Sequence, residues 1–308
     1  MVVGIDGSPS ALQAVRWAAP EARRRGVPLR VVIAFTWGED ERHAGDPPHR
    51  LGHRDVLLAQ ARGHLAVAAQ AVGRIDRDVA VERQLIVAPA SEALAAEAER
   101  AQLLVLGSAG QSRLGGLIAG SVAVRVVANA TCPVVVVRGR VPRDPELPVV
   151  VGVDGSEAAE RALEFAFATA DAWSAPLLAV HVRPASDRDP TTAHAVLRGS
   201  AEDPAEETLA EQVARWSDKY PDVGVASIVA RGRIAHCLLA RAKAAQLVVV
   251  GSRGRRPAAA AVLGSVSAAL VHRSPCPVAV IGPAVGAVAP WQGCSPATPP
   301  ARPACRTG

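Results

Sequence analysis

The feature that most constrains this chain is that it is written twice. VVGIDGS (Val2 to Ser8) returns as VVGVDGS (Val150 to Ser156), and AQLLVLGSAG (Ala101 to Gly110) returns as AQLVVVGSRG (Ala245 to Gly254). GSVAVRVVANATCPVVVV (Gly120 to Val137) returns as GSVSAALVHRSPCPVAVI (Gly264 to Ile281). The first block recurs at an offset of 148 residues and the other two at 144, so the loops between them differ slightly in length. A unit of this size is large enough to be a domain, so one fold has to be found and applied twice.

Each copy alternates strand and helix. In the first, Val2 to Ile5 reads as a short strand that begins directly after Met1, as in a slightly truncated start. Ser8 and Pro9 are N-cap and first-turn residues for a helix through Arg25, whose closing arginines, Arg23 to Arg25, complement its dipole. Leu29 to Phe35 is a strand, Arg50 to Val72 a helix, Val79 to Val87 an alternating strand and Ser91 to Arg100 a helix. Leu103 to Leu106 and Val134 to Val137 are continuous apolar runs, the pattern of parallel strands covered by helices on both faces. The order β-α-β-α-β-α-β-α-β, twice over, predicts an α/β protein of two tandem doubly wound domains, residues 1–140 and 149–282. A linker rich in proline and charge, Arg138 to Pro148, joins them. Residues 283–308 form a Pro/Ala-rich tail without periodicity, expected to be disordered.

Composition excludes several function classes. No apolar run approaches bilayer length, and Asp6 interrupts the first one, so neither a membrane span nor a leader is expected and the chain is read as cytoplasmic. The net charge of +5 comes from scattered arginines, and aromatics are 3% of residues. That is not the basic stripe with stacking aromatics of a nucleic-acid binder, and Trp17, Trp37, Trp173, Trp216 and Trp291 read as packing or surface residues. Five cysteines without CxxC spacing suggest neither a disulfide framework nor a zinc site. Cys132 and Cys276, each before a proline and an apolar strand, read as small buried residues.

The chemistry concentrates after the fourth strand of each copy. The first copy has Gly107-x2-Gly110-x9-Gly120-Ser121 and the second Gly251-x2-Gly254-x9-Gly264-Ser265. Glycines here let the backbone turn and approach a ligand with no Cβ in the way. Gly120-Ser121 and Gly264-Ser265 open a helix whose free N–H groups and positive dipole end favour an anion. In an open α/β sheet, ligands bind beyond the carboxyl ends of the strands where strand order reverses. Asp6 and Asp154 end the first strand of each copy, where a carboxylate can accept from a ribose hydroxyl or an adenine amine, or help hold a metal beside phosphates.

VGIDGS, the GS-x-G loop, the nine-residue spacer before GSV and the closing CPVVVV together strongly resemble the universal stress protein family in its tandem form, over residues 1 to 282. The glycine spacing is similar to that of the family's ATP-binding branch. The resemblance implies a five-stranded parallel sheet of order 3-2-1-4-5 in each domain, with ATP, with or without Mg2+, as cofactor. It implies a first site of Gly4, Asp6 near the ribose, Ala34 near the adenine, and Gly107, Ser108, Ala109, Gly110, Gln111, Ser112, Arg113, Gly120, Ser121 and Val122 around the triphosphate. The second site would use Gly152, Asp154, Val182, Gly251, Ser252, Arg253, Gly254, Arg255, Arg256, Gly264, Ser265 and Val266. It also implies an adenine nucleotide and a regulatory protein as partners, and a fifth strand that pairs domains either within the chain or in a homodimer.

The loops depart from the family's usual run. Pro257 and Ala258 follow Arg256, removing an N–H donor, and the first loop has Ala109 where the second has Arg253. His181, a lone histidine after a strand, reads as structural rather than catalytic, and no catalytic residue is assigned. The long segments Thr36 to His49 and Arg183 to Asp203 are lid candidates. The leading expectation is an ATP-binding regulator of a stress response. The alternative from another class is a slow ATP hydrolase or nucleotide-transferring enzyme, against which stands the missing Lys-Ser/Thr ending of a P-loop.

Overall fold

The computed structural model describes residues 1–37, 48–108, 121–139, 141, 144–183, 204–254, 263–282 and 285, with the side chains of 48–53, 121 and 204–206 outside the description. The first half comprises β1 (Val2–Ile5), α1 (Pro9–Arg24), β2 (Leu29–Phe35), α2 (Pro48–Ile75), β3 (Val81–Val87), α3 (Ala90–Ala98), β4 (Leu104–Gly107), α4 (Ser121–Asn129) and β5 (Val134–Val137). The second comprises β6 (Val149–Val153), α5 (Glu157–Trp173), β7 (Leu177–Arg183), α6 (Pro204–Ser217), β8 (Val225–Arg231), α7 (Ile234–Arg241), β9 (Leu247–Gly251), α8 (Ser265–Arg273) and β10 (Val278–Ile281). Both lid candidates lie almost wholly outside the described residues, as does most of the tail. No helix among the described residues is long and apolar enough to cross a membrane.

Ten strands form one sheet of order β3-β2-β1-β4-β5-β10-β9-β6-β7-β8, so each half has the order 3-2-1-4-5 that the family resemblance implied. Within each half all pairings are parallel. Right-handed crossovers then fix the layers. Steps from the first strand to the third run one way and put their helices on one face; steps from the third to the fifth run back and put theirs on the other. The core divides accordingly, with α1, α2, α5 and α6 over one face and α3, α4, α7 and α8 over the other. The central strands are buried throughout, which is why they read as unbroken valine runs rather than alternating ones.

The halves meet at their fifth strands. β5 pairs antiparallel with β10, Val136 opposite Val278 and Val134 opposite Val280. Of the two pairings left open by the sequence, within the chain or between chains, the structure has the first, and it occupies both fifth-strand edges. An antiparallel joint between two parallel halves relates them by a pseudo-two-fold axis across the sheet. The carboxyl edge of one half therefore faces away from that of the other.

Above the joint, α1 and α5 pack against each other. Trp17 and Trp173 meet edge to face at 6.1 Å, and Arg25 lies over the Phe165 ring at 5.8 Å. At the repeat offset of 148, positions 17 and 25 correspond to 165 and 173, so these two contacts are pseudo-symmetry mates: an aromatic mid-helix under a residue at the C-terminal end of the other helix. Arg23 and Arg24 lie in the last turn of α1 and Arg25 at its C-cap, where the helix dipole favours cations, and each also has a specific partner. Arg23 reaches Asp76 and Asp78, Arg24 lies over Trp173, and Arg25 is buried, its Nε 2.9 Å from Glu21 Oε1. Buried charges persist only when hydrogen-bonded, and Glu21 Oε2 accepts in turn from Trp173 Nε1 at 3.1 Å. The side chains of Trp17, Glu21, Arg24, Trp173 and Gln246 border a small cleft of about 140 Å³ at this seam.

Candidate functional site

The Asp-Gly-Ser turn after the first strand has the same backbone-to-side-chain bonds in both halves. Asp6 Oδ1 accepts from the Ser8 N–H at 2.9 Å, and Asp154 Oδ1 from the Ser156 N–H at 3.0 Å. The serine hydroxyl then accepts from the N–H three residues on, Ala11 or Ala159, at 3.2 Å in each case, capping α1 or α5. The glycine between must be left-handed, with φ of 83° at Gly7 and 75° at Gly155. The turn thus fixes each aspartate at the end of the first strand. In the second half Ser156 Oγ also donates to Asp154 Oδ1, at 2.6 Å, so one carboxylate oxygen is fully engaged by the turn.

The other oxygen faces the glycine loop. A Cβ placed on Gly254 would lie 2.6 Å from Asp154 Oδ2, so the loop after β9 passes directly beside the aspartate of β6 and a larger side chain there would displace its carboxylate. β6 and β9 are neighbours whose onward helices leave on opposite faces, which makes the gap between their carboxyl ends the crevice of the second half. The first half has the same gap between β1 and β4.

The start of α8 closes the second crevice. Gly264 is the N-cap in extended geometry (φ −60°, ψ 149°) and makes no side-chain cap bond, which leaves the first-turn N–H groups without that partner. Its own N–H donates to Ser252 O at 2.9 Å. Ser267 Oγ donates to Gly251 O at 2.7 Å, tying the helix to the end of the strand. Ser252 is buried, with its N–H on Ile281 O at 2.7 Å, yet among the described residues its hydroxyl has no partner. A buried hydroxyl left unpaired costs about 1–3 kcal/mol, so such a group usually has a partner in the working protein.

Several of the expected site residues also have packing roles. Gly4 and Gly152 lie inside β1 and β6. A Cβ there would lie 2.7 Å from Leu106 and 3.0 Å from Leu94 in the first half, and 3.1 Å from Leu238 and 3.2 Å from Val250 in the second. Core packing by these leucines and Val250 therefore already favours a glycine at both positions. Gly107 and Gly251 are pressed against the first turn of α1 and α5, so helix packing already demands a glycine at both. Ala34 is half-buried at the end of β2, Val182 is buried at the equivalent place in β7, and Val122 and Val266, in the first turns of α4 and α8, pack on the core. Ser108 is buried like Ser252, and Arg253 is half-buried and already engaged within the protein. Ser265 opens α8. Ala109, Gly110, Gln111, Ser112, Arg113, Gly120, Arg255 and Arg256 lie outside the described residues, as does the side chain of Ser121.

His181 is structural in its observed contact. Nδ1 lies 2.9 Å from Val153 O, and since a carbonyl only accepts, that nitrogen carries the proton. Sequence reasoning passed over His64 of α2, whose ring atoms lie 2.4–2.6 Å from where a Cβ on Gly7 would be. A lone histidine in a helix gives no signal of this, because only the packing of α2 on α1 brings it to the turn. Cys132 and Cys276 are buried as expected, and burial pushes their thiols up to about 12 and about 11. No group of metal-ligating side chains is found among the described residues.

Fold and crevice together define a class: a tandem doubly wound α/β protein with a glycine-loop crevice at the carboxyl edge of each half. Comparison with known proteins makes this specific. The universal stress protein family model matches twice, over residues 1–138 and 147–282. A universal stress protein of Mycobacterium tuberculosis strain H37Rv is 36% identical over 288 residues, covering 91% of this chain and 95% of that protein. Another from the same strain is 34% identical over 300 residues, covering 91% and 96%. Among solved structures, a universal stress protein from Archaeoglobus fulgidus shares the fold with a TM-score of 0.67, at 22% identity, over 92% of this chain and 97% of that one. The chain belongs to the universal stress protein family, in tandem form.

Proposed function

We propose that each half binds an adenine nucleotide in its carboxyl-edge crevice, that the ligand is ATP with or without Mg2+, and that occupancy rather than turnover is the output. The functional units are residues 1–140 and 149–282, and the role is that of a cytoplasmic, nucleotide-dependent regulator in a stress response, read by a protein partner. The observation that carries this is the second crevice. There a carboxylate oxygen of Asp154, the bare Cα of Gly254 beside it, a helix start without a side-chain cap and the buried Ser252 hydroxyl, unpartnered among the described residues, converge at the switch point of the strand order. These residues suit a nucleotide: the helix start and backbone N–H groups suit phosphate oxygens, and the aspartate suits a sugar hydroxyl. Bound ATP would supply a polyanion to the crevice; the chain's own residues would hold it, and none is assigned to its hydrolysis.

The test is to denature the purified chain, analyse released nucleotide, and titrate the emptied protein with MgATP by calorimetry. Binding of up to two equivalents is expected, with Gly254→Val and Gly110→Val each removing one. Failure of ATP to co-purify or to titrate would sink the reading. Turnover at ordinary enzymatic rates, abolished by one loop substitution, would replace it with an enzyme.

A further inference from the structure

We propose that Ser267 is a positioning residue that preforms the second nucleotide crevice and makes it the tighter of the two. The proposal rests on the nucleotide reading above and adds to it a ranking of the sites and the residue that sets it.

The second crevice is assembled from two chain segments, Gly251 to Gly254 after β9 and Gly264 onward at the start of α8. Their spacing decides whether donors on both can reach one ligand. Two bonds fix that spacing: Gly264 N–H to Ser252 O at 2.9 Å and Ser267 Oγ to Gly251 O at 2.7 Å. The first is backbone to backbone. The second depends on a side chain, that of the third residue of α8, which turns back from the helix onto the last residue of the strand. Ser267 is 3% exposed, so its bond competes with no solvent and its direction is set by packing. Loosening this staple would free α8 to shift relative to β9, carrying its N–H groups away from the Asp154–Gly254 side of the crevice. A site held in its binding geometry before the ligand arrives loses less entropy on binding, and affinity rises accordingly.

The first half cannot make this bond. At the repeat offset of 144 the equivalent of Ser267 is Ala123, equally buried and without a hydroxyl. The two halves otherwise share the aspartate turn, the cap and the glycine spacing, so this is a difference between them at a position that touches the loop without lining it.

The experiment uses the full chain carrying Gly110→Val, so that ATP binds only the second site, and calorimetric titration with MgATP. Ser267→Ala should weaken binding about five- to tenfold, as expected for one buried neutral hydrogen bond. Ser267→Thr, which keeps the hydroxyl, should restore it to within about twofold. In the reciprocal background, Gly254→Val, the same Ser267→Ala change should leave the first site's affinity unmoved, which a general loss of stability would not. An unchanged second-site affinity in Ser267→Ala, or a first site that binds more tightly than the second, would overturn the proposal. Absence of ATP binding to the unaltered chain is a separate outcome that overturns the nucleotide reading itself.

Discussion

Alanine at Gly107 or Gly251 should destabilise the protein without any ligand present. In sequence these glycines look as though they face a ligand; in the structure each faces a helix. A Cβ on Gly107 would lie 2.7 Å from the Ser10 carbonyl carbon, 2.8 Å from its oxygen and 2.9 Å from Ala11 N. On Gly251 it would lie 2.9 Å from Ala158 Cβ and 3.0 and 3.1 Å from that residue's backbone carbon and oxygen. Ordinary contact begins near 3.4 Å, so strand end and helix must separate by about 0.5 to 0.7 Å. The obstacle is mainly backbone in the first turn of a helix that is pinned by its serine cap at one end and by the seam at the other, so it cannot swing aside. Overpacking of this kind costs about 1–3 kcal/mol. The gain from restricting the unfolded chain returns about 0.4–1 kcal/mol, leaving a net loss of about 1–2 kcal/mol. Gly254→Ala meets only the terminal oxygen of the Asp154 side chain and should cost less than about 0.5 kcal/mol. The assay is urea unfolding of nucleotide-free protein, where the midpoint should fall at unchanged slope for Gly107→Ala and Gly251→Ala. Wild-type midpoints for those two variants would refute the packing argument, and an equal fall for Gly254→Ala would refute the division of labour among the glycines.

The seam offers a second stability test. Trp173→Ala should cost about 3–5 kcal/mol, from lost contact with Trp17 and a cavity at the joint. Trp173→Phe should recover most of the packing but not the donor to Glu21, and so fall between the two in the same unfolding assay. For the buried thiols, alkylation of native protein by iodoacetamide at pH 8 should leave Cys132 and Cys276 unmodified while half-buried Cys237 reacts, read by peptide mass spectrometry. Because their folded-state pKa values are raised above the ordinary 9.0, the unfolded thiols lose protons first. Their stabilising contribution is therefore complete below about pH 9 and declines as pH rises toward 11 to 12; replacing both with alanine should flatten that alkaline decline.

What the chain reveals before folding is unevenly distributed, for physical reasons. The strands were legible because burial on both faces leaves unbroken valine runs, and β2 and β5 appear within the residues expected of them. The Asp-Gly-Ser turns were legible because a left-handed residue before a capping serine leaves few choices of side chain. The use of individual glycines was not legible. A glycine that admits a ligand, one that admits a leucine and one that admits a helix backbone are the same letter, and only three-dimensional neighbours separate Gly254 from Gly4 and Gly107. The seam was hidden for a similar reason. Arg25 reads as a charge near a helix end until its pseudo-symmetry mate proves to be Trp173, a position that in both halves reaches across to an aromatic of the other. Pairing within the chain was equally out of reach, since a valine strand carries no mark of whether its edge partner belongs to the same molecule.

The antiparallel joint has the last consequence for function. Because β5 runs against β10, the two crevices open at opposite edges of the sheet, and no single ligand can touch both. Under the nucleotide reading proposed above, a phosphoryl group held in one could not be handed to the other, so the crevices would act as two separate sites. Their physical link is the pair α1 and α5. Each begins at the aspartate turn of its own crevice, with the fourth- or ninth-strand glycine pressed against its first turn, and ends against the other half through Trp17, Trp173, Arg25 and Phe165. A helix so placed has no slack at either end, so a shift of its first turn must be absorbed at the seam. A continuous packed route between the crevices runs along these two helices and across the Glu21–Trp173 bond. An arginine buried beside a carboxylate and over an aromatic ring is costly to displace, because any shift that parts it from Glu21 leaves an uncompensated buried charge.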